Sequence, residues 1–186
     1  MPASKSYCEL VRLPAFAAAS ADVNAIVDTP QGSRNKFKFD EESRLFMLGN
    51  VMPAGVVFPF EFGFIPSTRG GDGDPLDLLI LMDAPTFVGC LVRARLIGMI
   101  MAEQTVRQKS ERNDRLVAVA VQSRRHEHVR ELRDLPRQLL SEIEHFFVSY
   151  NAIKGKKFKP LGRYGSARAL ALVRQGVKDA ACRRSH

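Results

Sequence analysis

The chain has 186 residues, 45% of them hydrophobic, and its 28 lysines and arginines outweigh 20 aspartates and glutamates to give a formal net charge of +8. A chain of this length can bury the core of one domain without disulfides or a structural metal, and none of its apolar runs is long enough to cross a bilayer. The three cysteines form no CxxC pair, which argues against a zinc site and favours a reducing, cytoplasmic location.

The basic character of the chain is compatible with a polyanionic partner. The isoelectric point of the sequence is about 9.8, and basic residues concentrate at residues 124–125, 154–159 and 183–184. A basic rim can draw a polyanion toward a site, although an ordinary solvated surface gives the same composition. No dense alternation of aromatic and basic residues accompanies these clusters, so a nucleic-acid partner is the weaker interpretation.

Short apolar runs separated by glycine, proline and aspartate predict strands in the first two thirds of the chain. The predicted strands lie at residues 23–27, 37–39, 45–48, 78–82, 91–101 and 116–121. Residues 92–96 alternate between apolar and charged side chains, whereas residues 116–121 are almost continuously apolar. This pattern favours a closed or strongly curled antiparallel sheet.

After residue 122 the apolar residues change to helical spacing. The predicted apolar face of a first helix comprises Leu139, Leu140, Ile143, Phe146, Phe147 and Tyr150. Asp134 is the predicted N-cap of this helix, with Pro136 in its first turn. A second helix is predicted from a Ser166 cap to Gly176.

No repeat, low-complexity tract or linker divides the chain, so we predict a single domain over residues 1–186. Residues 1–20 are expected to form an N-terminal extension, and residues 177–186 a basic tail. The alanine-rich stretch at residues 10–21 is interrupted by an arginine and a proline, so we expect no secretory leader there.

The segment with the strongest chemical signal is the acidic turn at residues 70–77, Gly-Gly-Asp-Gly-Asp-Pro-Leu-Asp. Its glycines permit a backbone bend with positive φ, and Pro75 fixes the exit, so that Asp72, Asp74 and Asp77 can converge. Carboxylates without neighbouring histidine or cysteine favour Mg²⁺ or Mn²⁺, which commonly act on phosphate. Taken alone, the motif is more typical of a solvated acidic turn than of a metal site.

The surroundings of the acidic turn resemble the family I soluble inorganic pyrophosphatases. The turn matches the aspartate signature of that family, and Phe-Pro-Phe-Glu-Phe-Gly-Phe-Ile-Pro precedes it at residues 58–66. The resemblance extends from about residue 23 to about residue 172. It includes segments 37–40, 95–100, 114–119, 134–136 and 145–150.

The resemblance implies a fold, an activity and a set of site residues. The implied fold is α+β but mainly β, a closed five-stranded barrel of the oligonucleotide-binding (OB) type flanked by the two helices. The implied activity is Mg²⁺-dependent hydrolysis of inorganic pyrophosphate, in a chain that assembles as a homo-oligomer. Asp72 and Asp77 would hold the principal metal ions, and Asp74 would orient and deprotonate the attacking water while also contacting metal. The residues implied to bind substrate are Lys36, Arg115 and Tyr150.

The sequence departs from the family pattern at positions around these implied site residues. Amides or aromatic residues stand where the family has charged or hydroxyl side chains at Asn50, Phe58, Phe62, Asn113 and Asn151, and a further family aspartate falls near Glu103 or Gln104. Asp28 shortens a family glutamate, and Lys38 reverses the charge of another. Asp114 is positioned to substitute for a ligand lost at Asn113 if the loop shifts by one residue. Each lost charged contact to a transition-state oxygen is worth about 2–4 kcal/mol.

Three interpretations remain open from the sequence. The first is a Mg²⁺-dependent pyrophosphatase, weakened or retuned toward another phosphoanhydride. The second is a non-catalytic relative that binds phosphate, metal or a partner chain, because a fold can persist after its activity is lost. The third, disfavoured above, is a nucleic-acid module that uses the face of an OB-type barrel.

Overall fold

The computed structural model describes Leu10 and residues 13–184. Over these residues the fold is mainly β, with two helices near its C-terminal end, as the sequence predicts. The strands are β1 (Val23–Thr29), β2 (Asn35–Asp40), β3 (Leu45–Val51), β4 (Glu61–Ile65), β5 (Leu76–Leu81), β6 (Leu91–Val106), β7 (Lys109–Arg112), β8 (Arg115–Ala120) and β9 (Lys157–Gly165), and the helices are α1 (Arg137–Ile153) and α2 (Ser166–Arg184).

All six predicted strands are present, with boundaries that differ by a few residues. The prediction lacks β4, β7 and β9. The least typical is β9, which contains Pro160 and Gly162. Pro160 lies where the register between β9 and β6 shifts, a position at which a strand tolerates proline.

Strand pairing links five strands in a ring. β1 pairs with β4, β4 with β5, and β8 with β6, all antiparallel, whereas β5 and β8 are parallel. The N-terminal part of β6 returns to β1. The C-terminal part of β6 carries β7 and β9, and β2 and β3 form a separate hairpin.

Alternating side chains of the strands supply two apolar clusters. In β8, Leu116 and Ala118 belong to the cluster that contains Val173 of α2, whereas Val117 and Val119 belong to the cluster that contains α1. The predicted apolar face of α1 is confirmed in its main part, because Leu140, Ile143, Phe147 and Tyr150 are buried. The two helices therefore pack on opposite faces of the same strands.

The predicted N-cap of α1 is wrong. The helix begins at Arg137 with Pro136 in the N-cap position and no side-chain cap. The carboxylate of Asp134 instead accepts hydrogen bonds from the backbone N–H groups of Arg130 and Glu131, at 2.9 and 2.8 Å. These bonds stabilise the single 3-10 turn Leu132–Asp134 that precedes the helix.

The second helix also departs from its prediction at both ends. Ser166 is its first residue, and both the backbone N–H and the hydroxyl of Ser166 donate to Glu131. The helix continues past Gly176. This glycine does not end the helix but allows close packing against neighbouring segments. A Cβ there would lie 2.9 Å from a methyl of Leu76 and 3.1 Å from the carbonyl oxygen of Arg69.

Parts of both predicted terminal segments are ordered against the fold. Ala15 and Ala17 are buried, and Phe16 forms an isolated bridge with Val23. Residues 177–184 of the predicted tail belong to α2. Residues 1–9, 11, 12, 185 and 186 of these segments lie outside the described residues. Within the described part of the chain, no helix combines the length and apolarity needed to cross a membrane.

Candidate active site

A cleft of about 530 Å³ opens between the β2–β3 hairpin, the acidic turn and the C-terminal end of α1. The cleft brings together all six residues predicted for the site: Lys36, Asp72, Asp74, Asp77, Arg115 and Tyr150. Its lining also includes Asp28, Lys38, Gln104, Asn113, Asn151 and Lys154. The chain therefore places carboxylates and cations from distant segments around one space.

The acidic turn is held in place by its own backbone. The N–H of Gly70 donates to the carbonyl of Asp74 at 2.7 Å, and Gly73 has a φ of 89°. The hydroxyl of Thr68 accepts from the N–H of Leu76, which fixes the start of β5. Because β5 begins here, the side chain of Asp77 follows the turn directly on an ordered strand.

The three aspartates of the turn differ in their surroundings. Burial, together with repulsion from Asp77 and Asp74, raises the pKa of Asp72. Asp77 forms an ion pair of 2.6 Å with Arg115, whereas the largely exposed Asp74 lies 3.8 Å from Lys38. A short ion pair therefore holds Asp77, whereas the contact of Asp74 with Lys38 is long and exposed to solvent.

The donor chemistry of the turn fits a hard divalent cation. Asp72, Asp74 and Asp77 are oxygen ligands that repel one another, and a bound cation would relieve that repulsion. Among the described residues, however, no three acidic, histidine or cysteine side chains are arranged as a ready-made metal shell. The side chains of the turn would have to adjust on binding, and Asp77 would have to share its charge between metal and Arg115.

Arg115 is the buried cation of the cleft. It is 4% exposed, and its guanidinium lies 5.2 Å from the ring centre of Phe147 and 5.4 Å from that of Phe158. Besides Asp77, it donates to the side chain of Asn113. Its Nε has no hydrogen-bond partner within the described residues. The rings fix the plane of the guanidinium, so the group is pre-positioned at the base of the site.

Lys36 forms a second ion pair at the opposite wall. Its Nζ lies 2.5 Å from Asp28 and 4.5 Å from the ring centre of Phe62. Burial raises the pKa of Asp28, although Lys36 and the hydroxyl of Thr29 oppose the shift. The aspartate on β1 and the lysine on β2 therefore depend on each other for charge compensation.

Tyr150 lies on the last turns of α1 among aromatic rings. Its ring packs against Phe58 at 5.3 Å and stacks on Phe146 at 5.9 Å. Burial, and then the negative charge of Asp77, raises the pKa of its hydroxyl. The hydroxyl therefore stays protonated at neutral pH and can donate a hydrogen bond into the cleft.

Asn113, which departs from the family pattern, forms a hydrogen bond with Gln104. The side-chain amide of Asn113 donates to that of Gln104 at 3.2 Å, and both line the cleft. The alternative in which Asp114 replaces the ligand lost at Asn113 remains a prediction. Its carboxylate accepts from the guanidinium of Arg112 and from the N–H of Ala102 at 2.9 Å, outside the cleft.

Three cations that line the cleft, Lys38, Lys154 and Lys156, are absent from the predicted site residues. Lys154 lines the cleft, and its ammonium contacts the hydroxyl of Tyr150. The sequence carries a signal for it, because Lys154 follows Tyr150 by four residues on a predicted helix and such pairs are neighbours. By contrast, Asn50 is paired with Lys36 across the hairpin but is not among the lining residues.

Comparisons with known proteins agree with this geometry. A family model described as inorganic pyrophosphatase matches residues 25–181. The inorganic pyrophosphatase of a Synechocystis species is 36% identical over 171 residues, covering 92% of this chain and 98% of that protein. The crystal structure of the inorganic pyrophosphatase from Thermus thermophilus has a TM-score of 0.85 at 32% identity and covers 93% of this chain and 99% of that one. The chain therefore belongs to the inorganic pyrophosphatase family.

Proposed function

We propose that this protein hydrolyses inorganic pyrophosphate to two phosphates with the help of Mg²⁺ or Mn²⁺. The observation that carries the proposal is the cleft itself, in which the three aspartates of the turn face cations from β2 and β8. A doubly charged metal and a polyanionic substrate are complementary to such a mixture of carboxylates and cations. Family membership supplies the substrate class.

The aspartates of the turn have different roles in this proposal because their surroundings differ. Asp72, Asp74 and Asp77 would hold the metal, which when bound neutralises charge on phosphate oxygens and makes water a stronger acid. Asp74 is largely exposed, and its ion pair with Lys38, at 3.8 Å, is longer than that of Asp77 with Arg115, at 2.6 Å. It is therefore free to accept the proton of the water that attacks phosphorus.

The cations and the tyrosine would bind the phosphate groups. Arg115 is held by aromatic rings and Lys36 by Asp28, so neither has to be ordered when substrate arrives. The protonated hydroxyl of Tyr150 adds a neutral donor. Charge-assisted hydrogen bonds of this kind stabilise the phosphoryl oxygens as charge redistributes in the transition state.

Three further assignments belong to the same proposal. We propose that the ring of β1, β4, β5, β8 and β6 is a closed five-stranded barrel of the OB type, which the return pairing of β6 to β1 supports. A homo-oligomer and a cytoplasmic location remain predictions.

The experiment measures phosphate release from pyrophosphate with excess Mg²⁺, with excess Mn²⁺ and with chelator. Asp74→Asn removes the proposed proton acceptor and should lower the metal-dependent rate by about 100- to 10,000-fold. Asp179→Asn is the matched control, since Asp179 is exposed on α2 and bonded to Gln175. Absence of release by the wild-type protein with either metal would refute the proposal and leave a binding role.

A further inference from the structure

The C-terminal end of α1 differs from the pattern that the family resemblance implies. At position 151 the resemblance predicts a lysine, but this chain has Asn151. Asn151 is 2% exposed, and its side-chain amide donates to the carbonyl of Phe147 at 2.8 Å. The amide is therefore committed to the helix backbone and offers no charge to the cleft.

A lysine from the end of the same helix reaches the cleft instead. Lys154 is the C-cap residue of α1, one turn after Tyr150. Although the residue as a whole is exposed, its Nζ lies 4.3 Å from the ring centre of Tyr150 and donates to the hydroxyl of that ring. The i, i+4 spacing brings the ammonium and the phenol to the same side of the helix.

The ammonium of Lys154 lacks a counter-ion. Among the described residues Lys154 forms no salt bridge, in contrast to Lys36 and Arg115. Its desolvation, followed by the positive charges of Lys36 and Lys156, lowers its pKa to about 8. A cation that lies near other cations beside a cleft is stabilised when an anion occupies that cleft.

We propose that Lys154 binds a phosphate group of the substrate together with Tyr150 and supplies the cation that is missing at position 151. The inference rests on the proposed function, because that function defines the ligand as a diphosphate. The hydroxyl of Tyr150 accepts from Lys154, so its own proton is free to point to a phosphate oxygen. Lys154 and Tyr150 would then hold one phosphate group from the side of α1.

Binding of imidodiphosphate, a non-hydrolysable diphosphate, tests this inference by calorimetry in the presence of Mg²⁺. Lys154→Met should weaken binding by about 10- to 100-fold, the equivalent of one hydrogen bond to a charged group. Lys157→Met is the matched control. Lys157 is exposed on β9 outside the lining of the cleft, and its loss changes the net charge by the same amount. Lys154→Arg keeps the charge and should retain more affinity than Lys154→Met.

Each result separates this inference from the proposed function. Tight, Lys154-dependent binding by a wild-type protein that releases no phosphate would support the inference and refute the proposed hydrolysis. Normal turnover with equal affinities in Lys154→Met and Lys157→Met would overturn the inference alone. A wild-type protein that fails to bind imidodiphosphate would also overturn it. Circular dichroism of all three variants confirms that each measurement is made on folded protein.

Discussion

The ion pair between Asp28 and Lys36 provides a quantitative test of how the cleft is built. The side chains of Asp28 and Lys36 are 9% and 16% exposed and lie 2.5 Å apart. Lys36→Met keeps most of the stem that packs on Phe62 but removes the ammonium. Among the described residues, the carboxylate of Asp28 is then left with the hydroxyl of Thr29 as its hydrogen-bond donor, at 2.8 Å.

The expected cost is that of a buried charge left without its partner. Removal of one member of a buried ion pair typically destabilises a protein by about 3–5 kcal/mol. Lys38→Met is the control, because Lys38 is largely exposed and lies 3.8 Å from the exposed Asp74. Its loss should change the free energy of unfolding by no more than about 1 kcal/mol.

The direction of the pKa shift of Asp28 determines how the stability deficit of Lys36→Met changes with pH. Burial raises the pKa of Asp28 above its ordinary value, and removal of Lys36 would raise it further. A carboxyl group with a raised pKa in the folded state binds its proton more tightly there than in the unfolded chain. The deficit of Lys36→Met should therefore be largest at pH 8 and shrink as the pH falls through the pKa of Asp28 in the folded variant.

Urea unfolding at pH 8 and at pH 5 measures this deficit, and the double variant with Asp28→Asn completes the cycle. Replacing the carboxylate by an amide should recover much of the lost stability at pH 8. A deficit that is the same at both pH values, or one that Asp28→Asn leaves unchanged, would refute the reasoning. Either result would mean that Lys36 acts through packing on Phe62 and not through charge.

Two further stability predictions concern other contacts. Gly63→Ala should lower the thermal unfolding temperature strongly, because the new Cβ would lie 2.0 Å from the carbonyl oxygen of Ile26. Gly49→Ala is the control and should have a small effect on that temperature, because its Cβ would meet no atom nearer than 3.5 Å. Glu131→Gln should destabilise the start of α2 at pH 7. Hydrogen bonds from Ser166 lower the pKa of Glu131. The difference in thermal stability between the variant and the wild type should therefore narrow as the pH falls through that pKa, and a difference that does not change with pH would contradict this prediction.

The sequence predicts the acidic turn well because its information is local. Glycine, proline and aspartate determine a turn by their own backbone preferences, and Asp72, Asp74 and Asp77 lie within six residues of one another. The strands with apolar alternation and the buried face of α1 are predicted for the same reason. Each depends on periodicity within a single segment.

The features that the sequence misses depend on contacts between distant segments. β9 has no apolar alternation and exists because β6 offers it hydrogen bonds. Gly176 looks like a helix end, but close approach to Leu76 and Arg69 is what requires it. The carboxylate of Asp114 is bound by the guanidinium of Arg112 and by the backbone N–H of Ala102, a contact across two strands that the sequence does not reveal. No spacing rule contains these tertiary contacts.

The measurement that tests the central claim most directly is ³¹P NMR of pyrophosphate incubated with the wild-type protein and Mg²⁺. The account predicts that the pyrophosphate resonance is replaced by orthophosphate, and that Asp74→Asn slows this conversion far more than Asp179→Asn. Persistence of the pyrophosphate resonance with both Mg²⁺ and Mn²⁺ would contradict the claim that this cleft is a working pyrophosphatase site.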